Sequence, residues 1–155
     1  MSPCGDAWPS RLVRVAAVDI GDGTARFFEA AQGVPVEVAV AASCAQPGLQ
    51  APVRVGGRHY MDGGTAGTNI DGAAGYEIIV AVTAFPAGGR TREEIDSVCA
   101  SGGQVIHLAP DEEARTAMGP DPSDISRARA SAEAGARQGC EKATAVRDLW
   151  SQTRR

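Results

Sequence analysis

The run Tyr76 to Phe85 (YEIIVAVTAF) sets the strongest limit on the fold. Its apolar residues sit at successive positions rather than at every second one. A strand built from it must therefore be covered on both faces, as strands of parallel or mixed sheets are. The flanking segments supply the cover. Arg92 to Ala100 carries Ile95, Val98 and Cys99 on one side of a predicted helix, which Gly102-Gly103 ends. Gln104 to Leu108 (QVIHL) is the next strand, closed by Ala109-Pro110. Strand, helix, strand, helix in this order predicts an α/β layered domain.

Upstream of that run the pattern predicts two β-hairpins. Leu12 to Ile20 is β-branched and apolar, stops at Gly21-Asp22-Gly23, and is answered by Ala25 to Phe28. Val53 to Val55 and Arg58 to Met61 are joined by Gly56-Gly57, which accepts the positive φ of a two-residue turn. Between the hairpins, Val36 to Ala45 alternates like a strand in its first half and is Ala-rich in its second; we read it as a short buried helix ending at Pro47-Gly48. At the other end of the chain, Asp121 suits an N-cap, Pro122 the first helical position and Asp124 the first turn. From Ile125, the residues Ala128, Ala132, Ala136, Gly139, Cys140, Ala143, Val146 and Trp150 keep to one stripe, which predicts a long C-terminal helix. Gly135 and Gly139 lower helix propensity, and so point to close approach by a neighbour. Glu112 to Ser123 is expected to be a mobile loop, and Ser151 to Arg155 a fraying tail.

At 155 residues the chain is one domain's length, with its core expected over about residues 12–150 and no repeat or linker inside it. Alanine and glycine make up 47 residues, so close backbone packing must replace bulky side chains in the core. A net charge of −4 and seven aromatic residues argue against nucleic acid as a partner. No apolar run approaches the roughly 18–20 residues of a membrane span. Met1 to Ser10 has neither the basic residue nor the apolar stretch of a secretory signal, and a cytoplasmic protein is expected. Cys4, Cys44, Cys99 and Cys140 are too far apart for a zinc pattern or a disulfide scaffold and are expected to be reduced. His59 and His107 have no ligand cluster around them, so neither a metal nor another cofactor is implied.

Three segments in fixed order carry a family resemblance. Ala42-Ser43-Cys44-Ala45-Gln46-Pro47 is followed by Gly57-Arg58-His59-Tyr60-Met61-Asp62-Gly63-Gly64, then by Asn69 and the apolar strand Ile78 to Val82. The order and spacing resemble the C-terminal half of patatin-like phospholipases, with their A-S-x-x-x-P and G-x-x-Y-x-D-G-G segments. The likeness spans about Leu12 to Trp150, including the closing strand and terminal helix. It implies part of a three-layer sandwich with a mixed sheet, hairpins and a long C-terminal helix. It also implies a lipid acyl hydrolase working through a Ser-Asp dyad. In such an enzyme a serine in a G-x-S-x-G elbow attacks the ester, the aspartate of D-G-G accepts the proton, and a glycine-rich loop holds the oxyanion. Asp62 matches the dyad aspartate, and Gly63 and Gly64 the glycines after it.

The residues of D-G-G support the same role by themselves. A carboxylate at a strand end, followed by two residues without Cβ, can be held in a sharp turn within roughly 2.6–3.2 Å of a partner hydroxyl. The plainer reading is an Asx turn. None of Ser2, Ser10, Ser43, Ser97, Ser101, Ser123, Ser126, Ser131 and Ser151 lies in G-x-S-x-G, and no glycine-rich loop precedes the first strand. Ser43 lacks the flanking glycines of a nucleophile turn, and Ser101 suits a helix C-cap. His59 reads as a surface strand residue, His107 as a satisfied core residue and Tyr60 as packing. Arg137, Arg147, Arg154 and Arg155 alternate with acids as on a solvated helix face.

Two functions remain. In the first, the chain supplies the aspartate side of a lipid acyl hydrolase and is inactive alone, as a gene fragment, a mis-called start or one half of a split pair. Its substrate once complemented is a lipid ester. In the second it is a non-catalytic α/β module that binds a partner chain or a lipid surface. In either case a truncated parallel sheet is expected to self-associate through an exposed edge.

Overall fold

The computed structural model describes residues 7–121 and 123–152. Cys4, Pro122, Arg154 and Arg155, each given a role above, lie outside them. The protein is mixed α/β, with four α-helices and two sheets among the described residues: a four-stranded antiparallel sheet and a two-stranded parallel one. It divides into two compact units, one ending at Asn69 and the other beginning at Ile70.

In the first unit, β1 (Val15–Asp19) and β2 (Ala25–Phe28) form the expected antiparallel hairpin. The helix α1 (Val36–Ser43) follows, and then β3 (Val53–Val55) and β4 (Arg58–Asp62) form the second hairpin. Its turn residues Gly56 and Gly57 have φ of 54° and 85°, the doubly positive pair of a primed turn that glycine adopts without strain. The two hairpins join because β1 also pairs with β4, placing Ala17 opposite Asp62 and giving the order β2-β1-β4-β3. Local patterning predicts each hairpin but is blind to this pairing, which unites segments some 40 residues apart.

The helical half-pattern of Val36 to Ala45 wins over its strand-like half because α1 covers the sheet. Ala39 and Ala42 are fully buried and meet Ala17, Phe28 and Tyr60. Small side chains on both α1 and β1 let the backbones approach, which is where the alanine content is used. Phe28 and Tyr60 add an edge-to-face contact, with centroids 5.0 Å apart at 72°, so Tyr60 is a packing residue.

In the second unit, β5 (Ile78–Val82) runs parallel to β6 (Gln104–Leu108), and α2 (Gly89–Ala100) connects them. β5 is shorter than the apolar run at both ends, leaving Tyr76 and Phe85 exposed. The expectation of cover on both faces is met only in part: Ile79 and Ala81 are buried, whereas Val82 is 75% exposed. On α2 the buried residues are Thr91, Glu94 and Val98, while Ile95 is half-buried and Cys99 exposed. Glu94 is tolerated inside because its Oε2 accepts the Ile70 N–H at 3.0 Å and Oε1 lies 3.7 Å from Arg90 Nε.

Glu112 to Ser123 is not a loop throughout. Asp111 Oδ1 accepts the Ala114 N–H at 2.8 Å and caps α3 (Glu112–Met118), whose first turn carries Glu112 and Glu113 and which buries Ala114. Asp121 caps no long helix: its carboxylate accepts the Ser123 N–H, Asp124 caps the 3-10 turn Ile125–Arg127, and α4 (Ala128–Gln152) starts after that.

The face that α4 buries also differs from the expected stripe. Ala134, outside the stripe, is its buried residue, while Ala128, Ala132, Ala136, Gly139, Cys140, Ala143 and Trp150 are exposed. Polar contacts at the start of α3 hold the helix. Gln138 Nε2 donates to the Ala109 carbonyl at 2.8 Å, and Arg137 pairs with Asp111 at 2.6 Å, Glu113 at 3.1 Å and Glu141 at 2.8 Å. Arg137 is therefore a clasp rather than part of a solvated face. No neighbour approaches Gly135 or Gly139, since a Cβ on either would meet nothing within 4 Å. Among the described residues no helix is long and apolar enough to cross a membrane, and Cys44, Cys99 and Cys140 are free and exposed.

Candidate functional site

The D-G-G turn is positioned by the four-stranded sheet. β4 ends at Asp62, opposite Ala17, and the Asp62 N–H donates to the Ala45 carbonyl at 3.0 Å, tying the turn to the segment after α1. The chain then enters the 3-10 turn Gly63–Thr65, for which Asp62 is the N-cap: its Oδ1 accepts the Gly64 N–H at 2.7 Å. The Asx turn is thus present. Among the described residues the other oxygen, Oδ2, makes no hydrogen bond, and the side chain is half-buried.

Each glycine has its own steric reason. A Cβ on Gly63 would lie 2.3 Å from the Ala16 carbonyl oxygen, so the buried turn runs directly against β1. A Cβ on Gly64 would lie 2.9 Å from Asp62 Oδ1. Close approach, not positive φ, demands glycine here. Asn69 closes the loop, donating from Nδ2 to the carbonyls of Gly63 at 3.1 Å and Gly67 at 3.2 Å. Its φ of 57° is the left-handed conformation that asparagine tolerates better than most residues. The result is a carboxylate with one oxygen fixed by a backbone donor and the other open, held by a braced loop. Such a group keeps one oxygen available to a further hydrogen-bond donor.

The other residues singled out from the sequence each have a local setting within their own unit. Ser43, the last residue of α1, is half-buried, and no hydrogen bond joins it to Asp62 among the described residues. Ser101 is the C-cap of α2, its Oγ donating to the Val98 carbonyl at 2.8 Å. His107, half-buried on β6, meets the Thr83 hydroxyl at 2.8 Å. That hydroxyl donates to the Phe85 carbonyl at 2.7 Å and so is left to accept from His107 Nε2–H.

A second polar centre lies at the tip of the β1–β2 hairpin. Asp19, almost fully buried, accepts from the Gly21 N–H at 2.9 Å and pairs with Arg58, which also reaches Asp22 at 3.1 Å. Hydrogen bonding to Asp19 and then Asp22 raises the Arg58 pKa. The Thr24 hydroxyl, its N–H and the Arg58 and Arg26 guanidiniums hold the Asp22 carboxyl well below the usual carboxylate range. Asp19, Gly21, Asp22, Arg58 and exposed His59 line a hollow of about 470 Å³. The sequence signal was an aspartate ending an apolar strand, which demands a partner once buried; the partner, Arg58, is far away in sequence. Among the described residues no three His, Cys, Asp or Glu side chains gather as metal ligands.

Two more hollows open in the second unit, of about 550 Å³ and 630 Å³, and Leu108, Gly139 and Lys142 line both. Asp62 lines none of the three. No family model matches the chain, and no curated protein matches it significantly.

Proposed function

We propose that this chain supplies the proton-accepting aspartate of a patatin-like lipid acyl hydrolase, a phospholipase or esterase, and is inactive until a G-x-S-x-G segment completes it. The observation that carries the reading is the Asp62-Gly63-Gly64 turn. Gly63 presses on the Ala16 carbonyl, Gly64 holds Asp62 Oδ1 through its N–H, and Asn69 braces the loop. A simple surface turn requires none of this crowding. In the completed site the serine hydroxyl would lose its proton toward Asp62 as it attacks the ester carbonyl. On this reading the chain is part of a three-layer sandwich, the substrate is a lipid ester, and the open edges of the two-stranded parallel sheet are where the missing strands pair. Until then those edges favour self-association.

The test begins with the reading frame upstream of Met1. An in-frame or frameshifted G-x-S-x-G is expected. Joined to that segment, the chain should hydrolyse p-nitrophenyl acyl esters. Asp62→Asn should lower kcat by at least about a hundredfold, in the range of losing a general base, while Ser43→Ala leaves it unchanged. Full activity in Asp62→Asn, or turnover by the isolated chain that Ser43→Ala abolishes, overturns the proposal. A non-catalytic module binding a partner chain or a lipid surface is the second reading, favoured by the exposed Val82, Ile125 and Trp150 of the second unit. It gains if no such upstream segment exists.

A further inference from the structure

Of the two hollows of the second unit, the larger differs from the rest of this acidic chain in its charge. It is lined by Val80, Leu108, Val146 and Trp150, with Lys142 and Arg147 as its charged residues and no carboxylate. Lys142 is the only lysine in the sequence. Among the described residues neither Lys142 nor Arg147 has an ion pair or a hydrogen-bond partner, whereas Arg129 and Arg137 on the same helix are both paired with acids. Glu141, beside Lys142, is committed to Arg137, and Asp148, beside Arg147, does not line the hollow.

The smaller hollow continues the first through Leu108, Gly139 and Lys142 and runs past Val82 and Met118 to Ile125. It lies beyond the C-terminal ends of the two parallel strands, where open α/β sheets commonly bind ligands. Its polar side chains are largely satisfied inside the protein. Asp124 bonds to Ser126 and Arg127, Gln138 to Ala109 and Ser131 to Arg127. Gly139 sits at the seam without a Cβ, leaving the passage between the hollows open. The volumes fall within the roughly 300–1,000 Å³ of small-molecule sites.

The geometry points to a binding site for a single-chain anionic amphiphile, a fatty carboxylate. Its head would lie between Lys142 and Arg147 and its tail along Leu108 and Val82. Two unpaired cations beside an apolar trough in a protein of net charge −4 select an anion with a tail over a cation or an uncharged partner surface. The inference goes beyond the acyl-hydrolase reading and does not need it, since it rests on residues of the second unit alone.

The test titrates the whole chain with laurate below its critical micelle concentration, by calorimetry and tryptophan fluorescence. Dodecyltrimethylammonium, acetate and vesicles of anionic phospholipid serve as comparisons. One saturable site is expected, with laurate bound about tenfold or more tighter than the cationic amphiphile, the scale of one good charge contact, and no binding of acetate. Lys142→Glu with Arg147→Glu should weaken laurate by about tenfold and leave the melting temperature unchanged. Gly139→Phe, which meets no neighbour at its Cβ, should block binding in a folded protein. Equal affinity for both amphiphiles, no effect of the charge reversals, or binding to vesicles without a saturable laurate site overturns the inference. So does laurate uptake that Gly139→Phe leaves intact.

Discussion

Asp62 Oδ1 accepts the N–H of Gly64 at 2.7 Å, and a Cβ on that glycine would stand 2.9 Å from the same oxygen. The carboxylate occupies the space that the absent side chain leaves. Gly63 faces a harder obstacle, because what stands 2.3 Å from its Cβ position is the Ala16 main chain rather than a side chain that can turn.

Gly63→Ala should therefore destabilise the protein by about 1–3 kcal/mol, the usual cost of overpacking. Gly64→Ala should cost less, about 1 kcal/mol for the lost carboxylate bond, because Asp62 can rotate away. Gly135→Ala makes the control: nothing lies within 4 Å of its Cβ, and removing a mid-helix glycine should stabilise by about 0.5–1 kcal/mol. Urea unfolding of the three variants checks the order. Equal effects at positions 63 and 135 would refute the close approach to β1.

Acid stability should follow three depressed carboxyls. Asp111 is lowered first by the Ala114 N–H and then by Arg137, Asp124 first by the Ser126 hydroxyl, and Asp22 first by the Thr24 hydroxyl. A carboxyl whose folded pKa lies below its unfolded value of about 3.9 stabilises the fold fully above that value. The contribution is lost as pH falls through the folded pKa, because the unfolded chain then binds more protons. Thermal unfolding should be nearly independent of these groups above about pH 5 and should weaken progressively below about pH 4. Asp111→Asn should flatten part of that slope. A protein equally stable at pH 3 and pH 6 would contradict the assignment.

Self-association is expected from the second unit. Its sheet has two parallel strands, and neither outer edge pairs with another strand among the described residues. Such edges recruit further strands. Light scattering should show species larger than a monomer that grow with concentration, and Val82→Lys, which places a charge on the exposed end of β5, should reduce them. A sharp monomer at high concentration would refute this.

The residues that act through short-range chemistry were legible in the chain itself. Gly56-Gly57 makes the positive-φ turn its composition announces, Ser101 caps α2, and Tyr60 packs. The D-G-G turn was visible as a motif, but the reason for its glycines was not. That reason is the proximity of Ala16, set by a strand pairing across 40-odd residues.

Helix faces were read least well. Periodicity located α4 but chose the wrong side, because a stripe of alanine and glycine differs little in hydrophobicity from its surroundings. The Arg137 and Gln138 contacts to the start of α3 turned the helix instead. The capping of α3 by Asp111 was likewise hidden in a polar stretch that composition marks as loop.

Sequence alone determined the mixed α/β class, both hairpins, the two strands on either side of α2 and the place of Asp62 at a strand end, since each rests on local periodicity or turn chemistry. Tertiary structure decided the β1–β4 pairing, the burial of Asp19 beside Arg58 and the face α4 presents. These depend on which distant groups satisfy a buried charge or fill a contact, and no window of neighbouring residues contains that choice.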